Sequence, residues 1–163
     1  MGMVDVQVIA AGPAVDAACA EVRGWHIGRW SDETDGGMNL YDAEGNYARM
    51  WSFDEDPKWR WSPSTDVAAA WELVEVMQGQ DYIVKFWSPN REGIAKIAAN
   101  SWEVAAWKAI DQVTGELYKW RLVEEPEEWT ELNYLARAST APLAISRLFL
   151  LVHGITEIEV ADD

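Results

Sequence analysis

The segment Pro57-Lys58-Trp59-Arg60-Trp61 sets two indoles and two cations side by side in a chain that is otherwise acidic. Indole faces stack on planar bases, and a guanidinium grips phosphate oxygens through two parallel N–H groups, so the combination fits an anion the size of a nucleotide. Lys119-Trp120-Arg121 repeats the arrangement, and Arg147 stands as the one charge on a wide apolar helix face. Trp59, Arg60, Trp61, Lys119, Trp120, Arg121 and Arg147 are therefore the candidate ligand contacts. A second arrangement satisfies the same residues. Strand alternation turns the indoles inward and leaves the neighbouring cations in solvent, while Arg147 pairs with one of the many acids.

Covalent chemistry is harder to assemble. A hydrolytic nucleophile needs a serine or cysteine within reach of a base, and His26 and His153 stand in no nucleophile motif. Cys19 reads as a small core residue, and His153 beside Gly154 as a histidine favoured by the dipole at a helix end. There is no Walker loop, and Gly24-Trp25-His26-Ile27-Gly28 lacks the remaining glycine spacing of a dinucleotide fingerprint. The acidic loop Asp32-Glu33-Thr34-Asp35-Gly36-Gly37 misses the alternating register of a calcium site. Glu124-Glu125-Pro126-Glu127-Glu128 lacks the apolar surroundings that raise a catalytic carboxyl. One cysteine and two histidines supply neither a disulfide nor a structural zinc set. The chain reads as a non-enzyme that uses no metal and no cofactor.

Composition bounds the partners. With 163 residues, 49% of them hydrophobic and 25% charged, the chain has the make-up of one soluble domain. Thirteen Lys and Arg against 28 Asp and Glu give a net charge of -15, a field that repels phosphate backbones and anionic membranes. Duplex nucleic acid and membrane are thus set aside as partners. No apolar run reaches the span of a bilayer, and Met1-Gly2-Met3-Val4-Asp5 lacks the basic start of a secretory leader, so the expected location is the cytoplasm. Eleven Trp are too many to bury completely in a domain of this size, which predicts indoles at a surface or in a cleft.

The elements that must position these residues follow from local signals. Residues 1–25 read as helical with a break at Gly12-Pro13, closed by Gly24. Leu40 to Phe53 reads as two strands joined through Asp42-Ala43-Glu44-Gly45-Asn46. Ser62-Pro63-Ser64-Thr65-Asp66 opens a helix running to about Met77, whose stripe of Val67, Ala70, Trp71, Val74 and Met77 places Trp71 in the core. Tyr82 to Trp87 reads as a strand, and Ser101 to Val123 as a hairpin that makes Trp107 and Trp120 neighbours. A strand over about 134–138 precedes a helix opened by Thr140-Ala141-Pro142 and reaching about His153. Apolar residues cover most of that helix, which predicts burial on two sides, by the sheet and by another subunit of a homo-oligomer. The fold class is α+β: an antiparallel sheet of about four to six strands layered with helices.

Three blocks carry a family resemblance: Ala11-Gly12-Pro13 through Asp16-Ala17 to Arg23-Gly24-Trp25; Ser64 through Glu72; and Thr140 through Arg147. Together they resemble the phage ABA sandwich domain, a family of small phage and prophage proteins, over somewhat under half of the chain. The resemblance implies an α-β-α sandwich as one domain over 1–163, a phage origin and hence a host cytoplasm, and it transfers no catalytic residue. Relative to short family members there is extra material around 29–61 and 89–133, where most of the tryptophans lie. New surface, and with it new function, is expected there. The leading expectation is a counter-defence protein that sequesters a nucleotide-derived immune signal without cleaving it. The alternative, favoured by net charge, is a protein-protein inhibitor whose acidic surface mimics nucleic acid and occupies a basic groove on a host defence enzyme. Hydrolysis of a phosphodiester signal ranks last.

Overall fold

A computed structural model describes residues 2–29, 37–52, 61–89, 101–111 and 129–160. Three helices start and stop on local chemistry. The first, α1 (Pro13–Val22), begins on its proline and ends in a left-handed turn at Gly24, with φ +83. There Trp25 N donates to Ala20 O and Gly24 N to Glu21 O, the paired bonds that satisfy the last carbonyls of a helix. In α2 (Val67–Gly79) the Asp66 side chain caps Ala68 N, and in α3 (Ala141–Val152) the Thr140 side chain caps Leu143 N. Gly79 is still helical, and the left-handed residue that ends α2 is Asp81, at φ +69.

Eight strands among the described residues form antiparallel pairs. The α+β class, with antiparallel sheets packed against helices, is what the sequence predicts, and the strands are divided among three small sheets. Residues 2–5, expected to be helical, instead form β1 (Gly2–Asp5), which pairs with β8 (Glu157–Val160) in the register Gly2 with Val160. That pairing joins the two ends of the described chain, so no local pattern announces it. The second sheet is β2 (His26–Arg29), β3 (Gly37–Tyr41) and β4 (Tyr47–Ser52), with the expected turn between β3 and β4. Asp42 Oδ1 accepts from Glu44 N and Asn46 N to hold that turn. The third sheet is β5 (Ile83–Trp87), β6 (Trp102–Asp111) and β7 (Trp129–Ala138), in that order. The second arm of the hairpin read over 101–123 lies outside the described residues, and the described partners of β6 are β5 and β7.

The core lies between the helices and the inner face of the third sheet. Val104, Ala106, Ala136 and Ala138 bring small and branched side chains to that face, and α3 packs across β6 and β7. From α2, Ala69, Ala70, Leu73, Val74 and Met77 point inward. Trp71, expected in the core, is 47% exposed, and Val67 is 60% exposed. The run from Val67 to Trp71 is apolar throughout, so its pattern does not fix the rotation of the helix. Trp71 stacks on Phe86 at 5.8 Å. The helix α3 contacts α1, α2, β6 and β7 of its own chain, which bury Leu143, Ala144, Ile145, Leu148, Phe149 and Leu150. No described helix is long and apolar enough to cross a membrane.

Candidate functional site

Strand alternation gives the third sheet a second, outward face, and register places its side chains in rows. Ile83, Trp107 and Asn133 form one row across β5, β6 and β7; Lys85, Ala105 and Leu135 form the next; Trp87, Glu103 and Arg137 form the third. Rows two residues apart are separated by about 7 Å. The small methyl group of Ala105 therefore sits as a floor with larger side chains around it, and a cleft of about 820 Å³ opens above. Trp107 and Trp87 line it from opposite sides of the Ala105 row.

Polar groups in the cleft are held in fixed positions. The Trp107 indole N–H donates to Glu131 Oε1 at 2.8 Å, which orients the ring. Arg137 Nε donates to Glu103 Oε2 at 3.1 Å, so that carboxylate is neutralised at the far end. Lys85 is exposed and has no carboxylate partner among the described residues. Asn133 offers an amide that both donates and accepts. Aromatic faces, an apolar floor and a few convergent polar groups are the general make-up of a small-molecule site.

No protein-family model, no curated protein and no solved structure matches this chain. The site therefore has to be read from its own chemistry.

Of the ligand contacts expected from the sequence, Trp59, Arg60, Lys119, Trp120 and Arg121 lie outside the described residues. Trp61 is described and buried, 5% exposed, with its indole N–H donated to Glu72 Oε2 at 2.7 Å and its ring edge-to-face with Trp25. Arg147 is half-buried and makes no ion pair among the described residues. Its Nε and Nη2 donate to Ile9 O and its Nη1 to Arg137 O at 2.6 Å. Burial pushes its pKa down. Trp61 thus serves the lead-in to α2, and Arg147 ties α3 to β7 and to the loop before α1.

Sequence reasoning missed Lys85, Trp87, Ala105 and Trp107 as one group. The available signal was Lys85, a single cation between Val84 and Phe86 in an otherwise apolar strand. The rows themselves depend on register between strands distant in sequence.

Among the described residues, Cys19 and His153 are both engaged. Cys19 is fully buried against Ser146 O, and burial first, then the nearby Asp16, raises its thiol pKa well above the ordinary value. His153 sits at the end of α3, as expected, with Nδ1 2.7 Å from Phe149 O and Nε2 3.0 Å from the Gln80 side-chain nitrogen. The carbonyl can only accept, which assigns the proton to Nδ1. Among the described residues no three His, Cys, Asp or Glu side chains gather as metal ligands.

Proposed function

We propose that this chain is a non-catalytic binding protein that captures a nucleotide-derived ligand in the cleft on the third sheet. The observation that carries the reading is the surrounding of Ala105: indoles on both sides of its row and, directly across, Lys85, which has no carboxylate partner among the described residues. A planar base laid over the Ala105 methyl stacks on Trp107, an interaction worth about 1–3 kcal/mol per base. Its phosphate then meets the Lys85 ammonium, and the Asn133 amide reads the base edge. The net charge of -15 does not oppose this, because a few converging groups set the potential inside a cleft. With the phage resemblance of the three sequence blocks, the role is counter-defence in the host cytoplasm: sequestering an immune signal and leaving it intact.

A second reading, the acidic mimic that occupies a basic groove of a host defence protein, is favoured by a different feature. An apolar groove of about 620 Å³ between α1 and the first sheet carries Glu21, Glu157 and Glu159 along its lining. Calorimetry and mass spectrometry against cyclic nucleotides and ADP-ribose derivatives separate the two readings. The cleft reading expects saturable binding, recovery of the unchanged ligand after denaturation, and at least tenfold weaker binding in Lys85→Glu. A converted product would make the protein an enzyme, and no ligand together with capture of a host defence protein would favour the mimic.

A further inference from the structure

We propose that Arg23 and Arg49 form a second ligand site, separate from the sheet cleft, that takes a phosphoryl oxyanion, with Trp25 supporting it and Glu72 as a built-in competitor. The left-handed turn at Gly24 folds the chain back at the end of α1, so that the Arg23 guanidinium lies 3.9 Å from the centre of the Trp25 ring. Trp25 is in turn fixed edge-to-face against Trp61, with ring centres 5.0 Å apart. From β4, Arg49 reaches to 6.0 Å from the same Trp25 ring. Two cations therefore share one indole.

One carboxylate serves them both. Glu72 Oε1 accepts from Arg49 Nη2 at 2.5 Å and stands 3.9 Å from Arg23 Nη1, while Oε2 takes the Trp61 indole N–H. At 3.9 Å the Arg23 contact is an ion pair without a hydrogen bond. Among the described residues the Arg23 side chain donates to no acceptor, and its Nη1 is enclosed. A guanidinium has five N–H donors in a rigid fork, and buried donors are as a rule satisfied. Its stack on Trp25 fixes the plane of that fork, and 19% of the side chain stays exposed. Arg49, at 51%, is the more exposed of the two; its Nη1 donates to Ala48 O at 2.8 Å, and its Nη2 bond to Glu72 is the one an incoming ion would displace.

Charge selects the ligand class. Two guanidiniums converge on the one Glu72 carboxylate, with Glu75 a weaker electrostatic neighbour of Arg23, in a protein of net charge -15. A ligand carboxylate would only duplicate what Glu72 already supplies. A phosphoryl group brings more charge and three acceptor oxygens, enough to bridge both forks. Burial lowers the pKa of Arg23 most, Glu72 opposes it, Arg49 lowers it further, and Glu75 opposes more weakly.

The test is calorimetry and phosphorus NMR with inorganic phosphate at constant ionic strength. Saturable binding at one site is expected for the wild type, at least tenfold weaker binding for Arg49→Gln, and weaker binding for Arg23→Lys, whose ammonium has no fork. Glu72→Gln is expected to bind at least threefold more tightly, because the competing charge is gone. A purely structural cluster predicts no such gain. Lys108→Gln, which removes a cation from neither site, is expected to leave the phosphate isotherm as it is. Absence of saturable binding in the wild type, undiminished binding in Arg49→Gln, or no gain in Glu72→Gln would each overturn the proposal. Should Arg23→Lys fail to fold, the exposed Arg49 decides.

Discussion

Ser62 donates its hydroxyl to the Asp16 carboxylate at 2.8 Å, and both residues are buried. The other carboxylate oxygen accepts from Ser64 N at 2.9 Å, and the Ser64 hydroxyl accepts from Gly12 N at 3.0 Å. The first turn of α1 thereby fixes the loop that leads into α2, and with it the positions of Trp61 and Glu72. Asp16→Ala strips two buried donors of their acceptor and is expected to destabilise the fold by about 2–4 kcal/mol. Asp16→Asn keeps an acceptor for Ser64 N, and the Ser62 hydroxyl can rotate to accept from the new amide, so its loss is expected to be smaller. Urea denaturation of the two variants checks the order. Equal losses would mean that the carboxylate oxygens do not hold the loop.

What the sequence made legible was local. The Thr140 cap, the Gly24 turn and the Asp42 to Asn46 turn each depend on residues within a few positions of one another, and each is found where it was expected. What it hid was relational. The pairing of Gly2 with Val160 and the rows around Ala105 are set by register between distant segments, which no window of sequence contains. Trp61 shows the same limit. Its spacing from Trp59 marks an alternating strand, yet its role is fixed by Trp25 and Glu72, reached only through the folding back of α1 and α2. Arg147 carried a correct signal, a cation amid apolar residues, but its acceptors are backbone carbonyls, which side-chain chemistry does not reveal.

The buried Cys19 thiol makes stability depend on pH. Its pKa is raised in the folded state, so in the unfolded chain it ionises first, near the ordinary thiol value of about 8.5. Below that pH both states hold the proton and the group has no effect. Above it the unfolded state loses the proton while the folded state keeps it, and stability falls by up to about 1.4 kcal/mol per pH unit. Wild type is expected to lose more stability between pH 8 and pH 10 than Cys19→Ala. The comparison cancels the other groups that titrate in the same window, Tyr82 among them. Parallel pH profiles for the two proteins would refute the assignment.

Arg147 is expected to matter for folding and not for ligand binding. Arg147→Ala leaves Ile9 O and Arg137 O without their donor and removes the stem that packs beside them, a loss of about 2–3 kcal/mol. Arg147→Lys retains one contact at a time and should fall between. Chemical denaturation reads the stability, and calorimetry with any ligand of the cleft should show affinity within a factor of two of wild type. A selective loss of affinity in a variant of full stability would restore Arg147 to the binding site.

The cleft itself is most directly tested at its floor. Ala105 faces outward between Lys85 and Leu135, and its small size is what leaves room beside the Trp107 ring. Ala105→Leu fills that space from a position on the outer face, so the core beneath the sheet is untouched and the strand keeps every backbone bond. A base can then no longer lie flat against Trp107, and affinity for the nucleotide ligand is expected to fall at least tenfold with thermal stability little changed. Trp107→Ala removes the stacking face and should weaken binding about 5- to 150-fold, the equivalent of about 1–3 kcal/mol. If Trp107→Ala weakens binding while Ala105→Leu does not, the ligand uses the indole from another side and the floor is not part of the site.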